Sequence, residues 1–460
     1  MNNTSGITLS AQLIDHIRSK AINSNDLGVA AEFTLDTIAN MLAGFNSEAG
    51  RGFLSWAQPR GLLKVGGNAH HDAGRQAFVL GCLTHILEMD DLHRGSITHP
   101  GCVVVPAVFA LANDPKVAAQ SAQHCLEAVL HGYEAVARIG QAVGDQHYVI
   151  WHNTATCGPF GSTLAAAHML GLTDTQTVHA FGNAGTQATG FWEFLKTGAM
   201  SKHIHAGRGA EAGVVSAELA QHGITGAPTI LEGEKAFFKA MCADGDLTKI
   251  LEKPEGNWHV HQTSIKPWPS CRHTHPAIKI SLEAAQQLNQ RGLSIEDIQT
   301  VEVETYQAAL NLCDRSRPSS IYEAKFSLQH CVAAGLSLPQ VDFSSFDSES
   351  RQRLEGLTNR ITVKTTDEFE NAYPSAWGSR LNIKLHGEKV IRVETNTALG
   401  DPELPLSQSG LIDKAEMLLS HAGLSSPARL IDGILGMAEN GPLPILPLEE
   451  CLQTNLSKTL

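Results

Sequence analysis

The feature that most constrains this chain is a change of hydrophobic period along its length. From Ser10 to about Leu251, apolar residues recur every three and four positions, as in helices that bury one face. After Ile265 the pattern shortens to two. Residues 300–305, 360–365 and 381–394 alternate β-branched and polar side chains like half-buried strands, and His386-Gly387 interrupts the last of them as a hairpin turn would. Past Pro402 the helical period returns over residues 407–419 and 427–437. Such a chain is expected to be mainly α with two domains. A large, discontinuous all-helical domain would take residues 1–265 and 403–460, and a smaller inserted α+β domain residues 266–402.

Within the first helical stretch, helices are expected over residues 30–43, 73–89, 103–112, 118–142, 160–170, 175–189 and 209–222. Their interiors are rich in Ala and Gly, for example Gly182-x-x-Gly185 and Gly209-x-x-x-Gly213. Small residues let helix axes approach closely, so a tightly crossing bundle is expected. The Gly209 spacing reads as helix packing rather than phosphate binding, because no strand precedes it.

The net charge of −13 argues against nucleic acid as a partner, which needs clustered Lys and Arg. An acidic chain that binds an anion must concentrate positive charge locally. No stretch approaches the length of a membrane span, and the N-terminus lacks a basic-then-apolar leader signature, so a cytoplasmic protein is expected. The nine cysteines stand singly, without a C-x-x-C pair, and supply neither a disulfide framework nor an iron–sulfur ligand set.

Four stretches combine ionisable residues with Gly, Pro or Thr at expected helix ends, where side chains can be presented on a rigid scaffold. The first runs from Leu87 through Glu88, Asp90, Asp91 and His93 to Thr98-His99-Pro100. Its acids close an apolar helix against the preference of the helix dipole, although a solvated helix end is the plainer reading. The second is Trp151-His152-Asn153-Thr154-Ala155-Thr156. The third, Ser201-Lys202-His203-Ile204-His205-Ala206-Gly207-Arg208, supplies the concentrated positive charge of Lys202 and Arg208. The fourth, Lys266-Pro267-Trp268-Pro269-Ser270-Cys271-Arg272-His273-Thr274-His275, falls where the period changes. His273 and His275 have the look of a metal pair, yet no carboxylate or Cys stands at ligand spacing, and no metal is expected. Ser162, Ser270 and Cys271 lie in no nucleophile motif, and Cys157 reads as a packing residue.

Taken in order, these stretches, with Leu170-Gly171-Leu172, Thr225-Gly226, Leu231-Glu232-Gly233 and Glu323-Ala324-Lys325-Phe326-Ser327, resemble the MmgE/PrpD family over residues 10–400. That family includes 2-methylcitrate dehydratases, cis-aconitate decarboxylases and iminodisuccinate epimerase. The resemblance implies a large helical domain with an α+β lid, a pocket between them, a homodimer, and no cofactor. Carried over by motif, it implies catalytic roles for Asp90, Asp91, His99, His152, Lys202 and Lys266. His93, Arg208, Arg272, His273 and His330 are candidate substrate-binding residues.

Every reaction of the family includes removal of a proton from a carbon beside a carboxylate, or the reverse step. This requires a base poised near neutral pH and fixed positive charge, which His and Lys provide. Two departures bear on the choice of reaction. His330 stands where decarboxylases carry Tyr, and His-Pro-Gly-Cys replaces the His-Pro-Ser-Asp of methylcitrate dehydratases. Both favour epimerisation of a small dicarboxylate such as iminodisuccinate. The alternative is a lyase that dehydrates a 2-methylcitrate-like hydroxy acid or decarboxylates cis-aconitate.

Overall fold

Helices begin in this protein where short polar side chains can accept the first unpaired backbone N–H groups. Asn23 caps the helix Ser24–Gly44 in a reciprocal arrangement with Asp26, Ser121 caps Ala122–Ala142, and Thr173 caps Asp174–Gly185 together with Gln176. The computed structural model describes residues 7–64, 72–115, 117, 120–252, 258–387 and 389–457. The chain divides into one unit of Met1–Ile265 with Ser407–Leu460 and a second of Lys266–Leu406.

In the first unit, the helix Asn153–Met169 is buried along nearly its whole length. It packs against Ala122–Ala142, Gly101–Ala112 and Ser201–Gln221, and the last of these also packs against Ala73–His85. Small residues set these crossings. A Cβ added to Gly161 would lie 2.1 Å from a Val136 methyl, and one on Gly213 would lie 2.1 Å from Ser162 Oγ. No side chain fits at either place. The helix Gln408–Ala422 packs on Ser24–Gly44, where buried Lys414 pairs with buried Asp36 and donates to the Met89 carbonyl at 2.8 Å.

The second unit carries a four-stranded sheet in the order Ile361–Thr365, Ile298–Thr305, Ser379–Leu385, Val390–Thr395. The first pair is parallel and the other two are antiparallel. The turn after Ser379–Leu385 contains His386 and Gly387, the latter at φ 89°. Val301, Val303, Leu381, Ile383 and Ile391 point their apolar side chains into a core completed by Ile278 and Ile280 of the helix His275–Gln290. The fold is therefore mainly α with small sheets. No helix among the described residues is long and apolar enough to cross a membrane.

Three of the helix boundaries that differ from the sequence reading bear on the site. The helix expected over residues 73–89 ends at His85, so Asp90 and Asp91 lie in a buried loop rather than at a helix end; Glu88 turns the chain there with φ 60°. The helix expected from residue 160 begins at Asn153, and Pro159 lies inside it. One hydrogen bond is lost to that proline, while almost every side chain of the helix is buried. The helix expected from residue 209 begins at Ser201, which makes the whole Lys202–Arg208 stretch helical. Residues 118 and 119, part of the helix expected over residues 118–142, lie outside the described residues.

Candidate active site

Where the helix Ala73–His85 stops, the loop that follows folds back beneath its last residue. His85 Nδ1 lies 2.6 Å from Asp90 Oδ2, and the same oxygen lies 3.3 Å from His99 Nδ1. His99 Nδ1 also makes a 2.5 Å contact with the Asp91 carbonyl. A carbonyl only accepts, so the His99 proton sits on Nδ1 and a neutral ring carries its lone pair on Nε2. The His99 backbone N–H donates to Thr154 Oγ1 at 3.0 Å, tying this loop to the first turn of Asn153–Met169.

His152 occupies the N-cap of that helix. Its backbone N–H donates to the Gly190 carbonyl at 2.9 Å. Gly190 has φ 128°, and a Cβ there would lie 2.4 Å from the Ala155 methyl, so only glycine allows this strand of backbone to lie against the helix start. The His152 ring stacks on His85 at 5.7 Å, lies 6.4 Å from His99, and brings its Nδ1 within 3.2 Å of His205 Nδ1. Trp192 covers His152 with ring centroids 4.7 Å apart.

Lys202 enters from the first turn of Ser201–Gln221, on the same helical stripe as His205 three residues on. Its Nζ lies 2.6 Å from Glu88 Oε1. Asp90, Asp91 and His152 are fully or almost fully buried, whereas Lys202, Glu88 and His99 keep 16%, 12% and 12% of their side-chain surface.

The ionisation states follow from position. Burial alone would raise the Asp90 carboxyl, but the charges of His85 and His99 and their hydrogen bonds outweigh it and hold Asp90 well below the usual carboxylate range. Burial pushes Asp91 well above that range, reinforced by the Asp90 charge beside it. Adjacent aspartates are therefore shifted in opposite directions, Asp90 toward the carboxylate and Asp91 toward the neutral acid. Burial, then the neighbouring His85, Lys202, His205 and His99, lowers His152 far below the ordinary imidazole value. His203 and His205 are each brought down to about 4, chiefly by burial and then by His85. At neutral pH these three rings are uncharged.

Five of the sequence candidates, Asp90, Asp91, His99, His152 and Lys202, thus come together in the first unit. Others lie elsewhere. His93 bonds Ser96 Oγ at 2.8 Å and faces His259. Arg208 pairs with Glu211 and lines a 550 Å³ cavity with Trp56, Phe78, Met200 and Ile204. The reason is helical phase, since residues 201, 204 and 208 form one stripe and residues 202 and 205 another. In the second unit, Lys266 is buried, and Arg272 is held by Asp401, by the Leu399 carbonyl and by His275. His273 stacks on Trp377 and bonds the Tyr306 hydroxyl at 2.8 Å; His330 Nε2 donates to the Ser345 carbonyl at 2.8 Å. With His273 on Tyr306 and His275 on Arg272 and the Ser270 carbonyl, these two histidines do not form a ligand pair. Among the described residues, the groups with metal-ligand geometry are His85, Asp90 and His99, and His124, Glu127 and His168.

Sequence reading passed over His85, Glu88, His203, His205 and Trp192 as members of the site. For His205 a signal existed, the three-residue spacing from Lys202. For His85 there was none, because its approach to Asp90 depends on the turn at Glu88.

Histidines, a carboxylate and a lysine thus gather at buried helix ends of a mainly α protein. Family models fit most of the chain, the MmgE/PrpD N-terminal domain over residues 10–249 and the MmgE/PrpD C-terminal domain over residues 268–434. The chain belongs to the MmgE/PrpD family. It is 27% identical over 391 residues to a cis-aconitate decarboxylase of Aspergillus terreus, covering 79% of this chain and 78% of that one. The human cis-aconitate decarboxylase is 23% identical, with 78% and 76% covered. A 2-methylcitrate dehydratase of Salmonella typhimurium is 23% identical over 46% of this chain and 45% of its own. These relatives are lyases, which favours the lyase alternative over the epimerase preferred from sequence.

Proposed function

We propose that this protein is a lyase that moves a proton at a carbon of a small polycarboxylic acid, with a cis-aconitate-like acid as first candidate and a 2-methylcitrate-like hydroxy acid as second. The observation that carries the reading is the convergence of His99, backed by ionised Asp90, with neutral His152 and the Lys202 ammonium. His99 Nε2 is the base or proton donor to carbon, Asp90 stabilises the imidazolium formed when it takes a proton, and Lys202 holds a substrate carboxylate. His85 Nε2, His203 Nδ1 and Trp192 Nε1 are buried without a hydrogen-bond partner among the described residues, which suits a polar ligand beside them.

In decarboxylation the C–C bond to the leaving carboxylate breaks, its electron pair stays on carbon, and a histidine delivers a proton there as CO2 departs. In dehydration a histidine removes the proton while a second acid protonates the departing hydroxyl. Epimerisation, the reaction preferred from sequence, would remove and return one proton and needs the same groups. The His330 argument against decarboxylation is weak, because that ring is committed to the Ser345 carbonyl and packed on Phe346.

The test is incubation of the full chain with each acid in deuterated water. Release of CO2 with one deuteron in the product marks decarboxylation, rising absorbance of a new double bond marks dehydration, and exchange on a chiral dicarboxylate without net conversion marks epimerisation. A result with neither solvent deuterium in the product nor a new double bond from any acid tried, or full activity in a variant combining His99→Ala with His152→Ala, would refute the proton-transfer reading.

A further inference from the structure

Outside the candidate active site, a second set of histidines gathers on a different part of the helical unit. His124, Glu127 and His131 follow one another at three and four residues on the helix Ala122–Ala142 and so share one face. Facing them is His168, in the last turn of Asn153–Met169. The His124 and His168 rings are 4.1 Å apart and tilted by 28°, the His131 ring meets His168 edge-on at 4.7 Å, and Glu127 Oε2 lies 3.5 Å from His168 Nε2. Glu127 is steadied through its other oxygen by Gln123, at 3.1 Å.

Two observations set this group apart from an ordinary packed surface. One ligand atom from each of His124, Glu127 and His168 lies within 4.8 Å of the other two, close enough for a single ion to be shared after small side-chain rotations. His168 Nε2 and His131 Nδ1 are buried nitrogens that find no hydrogen-bond partner among the described residues, although His131 is 95% buried. A buried imidazole nitrogen without a partner is costly unless something meets it.

We propose that His124, Glu127 and His168 form a binding site for a divalent transition ion of the zinc type, with His131 packed behind the ligands. Two imidazoles and one carboxylate are a donor set that suits zinc, leaving the fourth position to water. All three ligands are partly exposed, so an ion can enter. Arg18 adds positive charge nearby, but its guanidinium is held by Asp174, the Leu172 carbonyl and Thr177. The site joins Ala122–Ala142 to the far end of the helix that His152 caps. It lies about 24 Å along that helix from His152, at 1.5 Å per residue, so its role is to fasten helices and not to touch substrate.

Calorimetric titration of zinc into chelator-treated full chain tests the site. The expected result is one zinc per chain lost in His168→Asn and in Glu127→Gln, with affinity reduced roughly 100-fold or more, and retained in His85→Asn, which breaks the only other described group of ligand geometry. Zinc should raise the melting temperature of the wild type and leave that of His168→Asn unmoved. If His168→Asn folds poorly, the partly exposed Glu127→Gln carries the test. No zinc bound at micromolar concentration, wild-type affinity in both variants, or binding lost only in His85→Asn would overturn the proposal.

Discussion

His85 holds Asp90 by a 2.6 Å contact from its Nδ1, and the carboxylate so held is shared with His99 at 3.3 Å. Asp90→Asn removes the charge that both rings lean on. A fall in kcat of about 10²–10⁴ is expected, the usual range for a disabled acid–base group, in steady-state assays with the acid that turns over. The linkage is also defined. Asp90 is lowered in the folded protein, so the stability it contributes is present above the unfolded value near 3.9 and is lost as pH falls through its folded value. Urea unfolding between pH 3 and 6, at about half-unit steps, should show that slope in wild type and a shallower one in Asp90→Asn.

Asp91 should behave in the opposite sense. Raised in the folded state, it binds a proton that the unfolded chain releases, so its contribution makes stability decline as pH rises above about 4. Asp91→Asn, which removes the titrating group, is expected to gain stability relative to wild type on going from pH 4 to pH 8. An equal difference between the two proteins at both pH values would show that Asp91 is ionised in the fold.

His152 and His205 are both lowered, His205 to about 4. An imidazole with a depressed folded value favours folding at high pH, and that contribution fades as pH falls below about 6.5, because the unfolded chain gains protons first. Activity should therefore persist below pH 6 and decline nearer 4. His205→Asn is expected to leave the fold intact and to change the acid limb of the kcat/KM profile, since it removes the ring that contacts His152 Nδ1.

Lys202 is matched by Glu88 at 2.6 Å, so a substrate carboxylate must compete with an internal one. Lys202→Met should lower kcat/KM by roughly 100-fold or more, the scale of a lost charge-assisted contact in a partly buried site, whereas Glu88→Gln should lower KM by relaxing the competition. Initial-rate measurements separate the two, and a raised KM in Glu88→Gln would count against carboxylate binding by Lys202. The resemblance gives Lys266 a catalytic role as well, and Lys266→Met is expected to raise KM or abolish turnover while keeping the melting temperature within a few degrees.

The fold has its own test in Lys414, buried against Asp36 and the Met89 carbonyl. Lys414→Met strands a buried carboxylate, and a loss of about 3–5 kcal/mol in unfolding free energy is expected. The double variant with Asp36→Leu should recover much of it.

What the sequence by itself determined was the alternation of helical and strand-like periods, the small-residue helix interiors and the family-bearing motifs. Each depends on neighbours in the chain: three-and-four spacing exposes one apolar face, two-residue spacing two faces, and glycine runs admit close crossings. Tertiary structure decided the rest. Asp90 looked like the end of a helix and is a buried loop carboxylate, because the chain turns at Glu88 rather than continuing from His85. Asp90 and Asp91 are indistinguishable in sequence and shift in opposite directions, because histidines from 5 residues before and 9 residues after lie against the Asp90 carboxylate, whereas His99 meets Asp91 at its backbone carbonyl. Arg208 looked like a companion of Lys202 and faces Glu211, because six residues along a helix carry a side chain to another stripe. His168 had no visible partner in sequence, since Glu127 stands 41 residues away and meets it only when two helices cross. Charge state and ligand geometry belong to groups brought together in space, and for these residues the chain's order carries no record of that meeting.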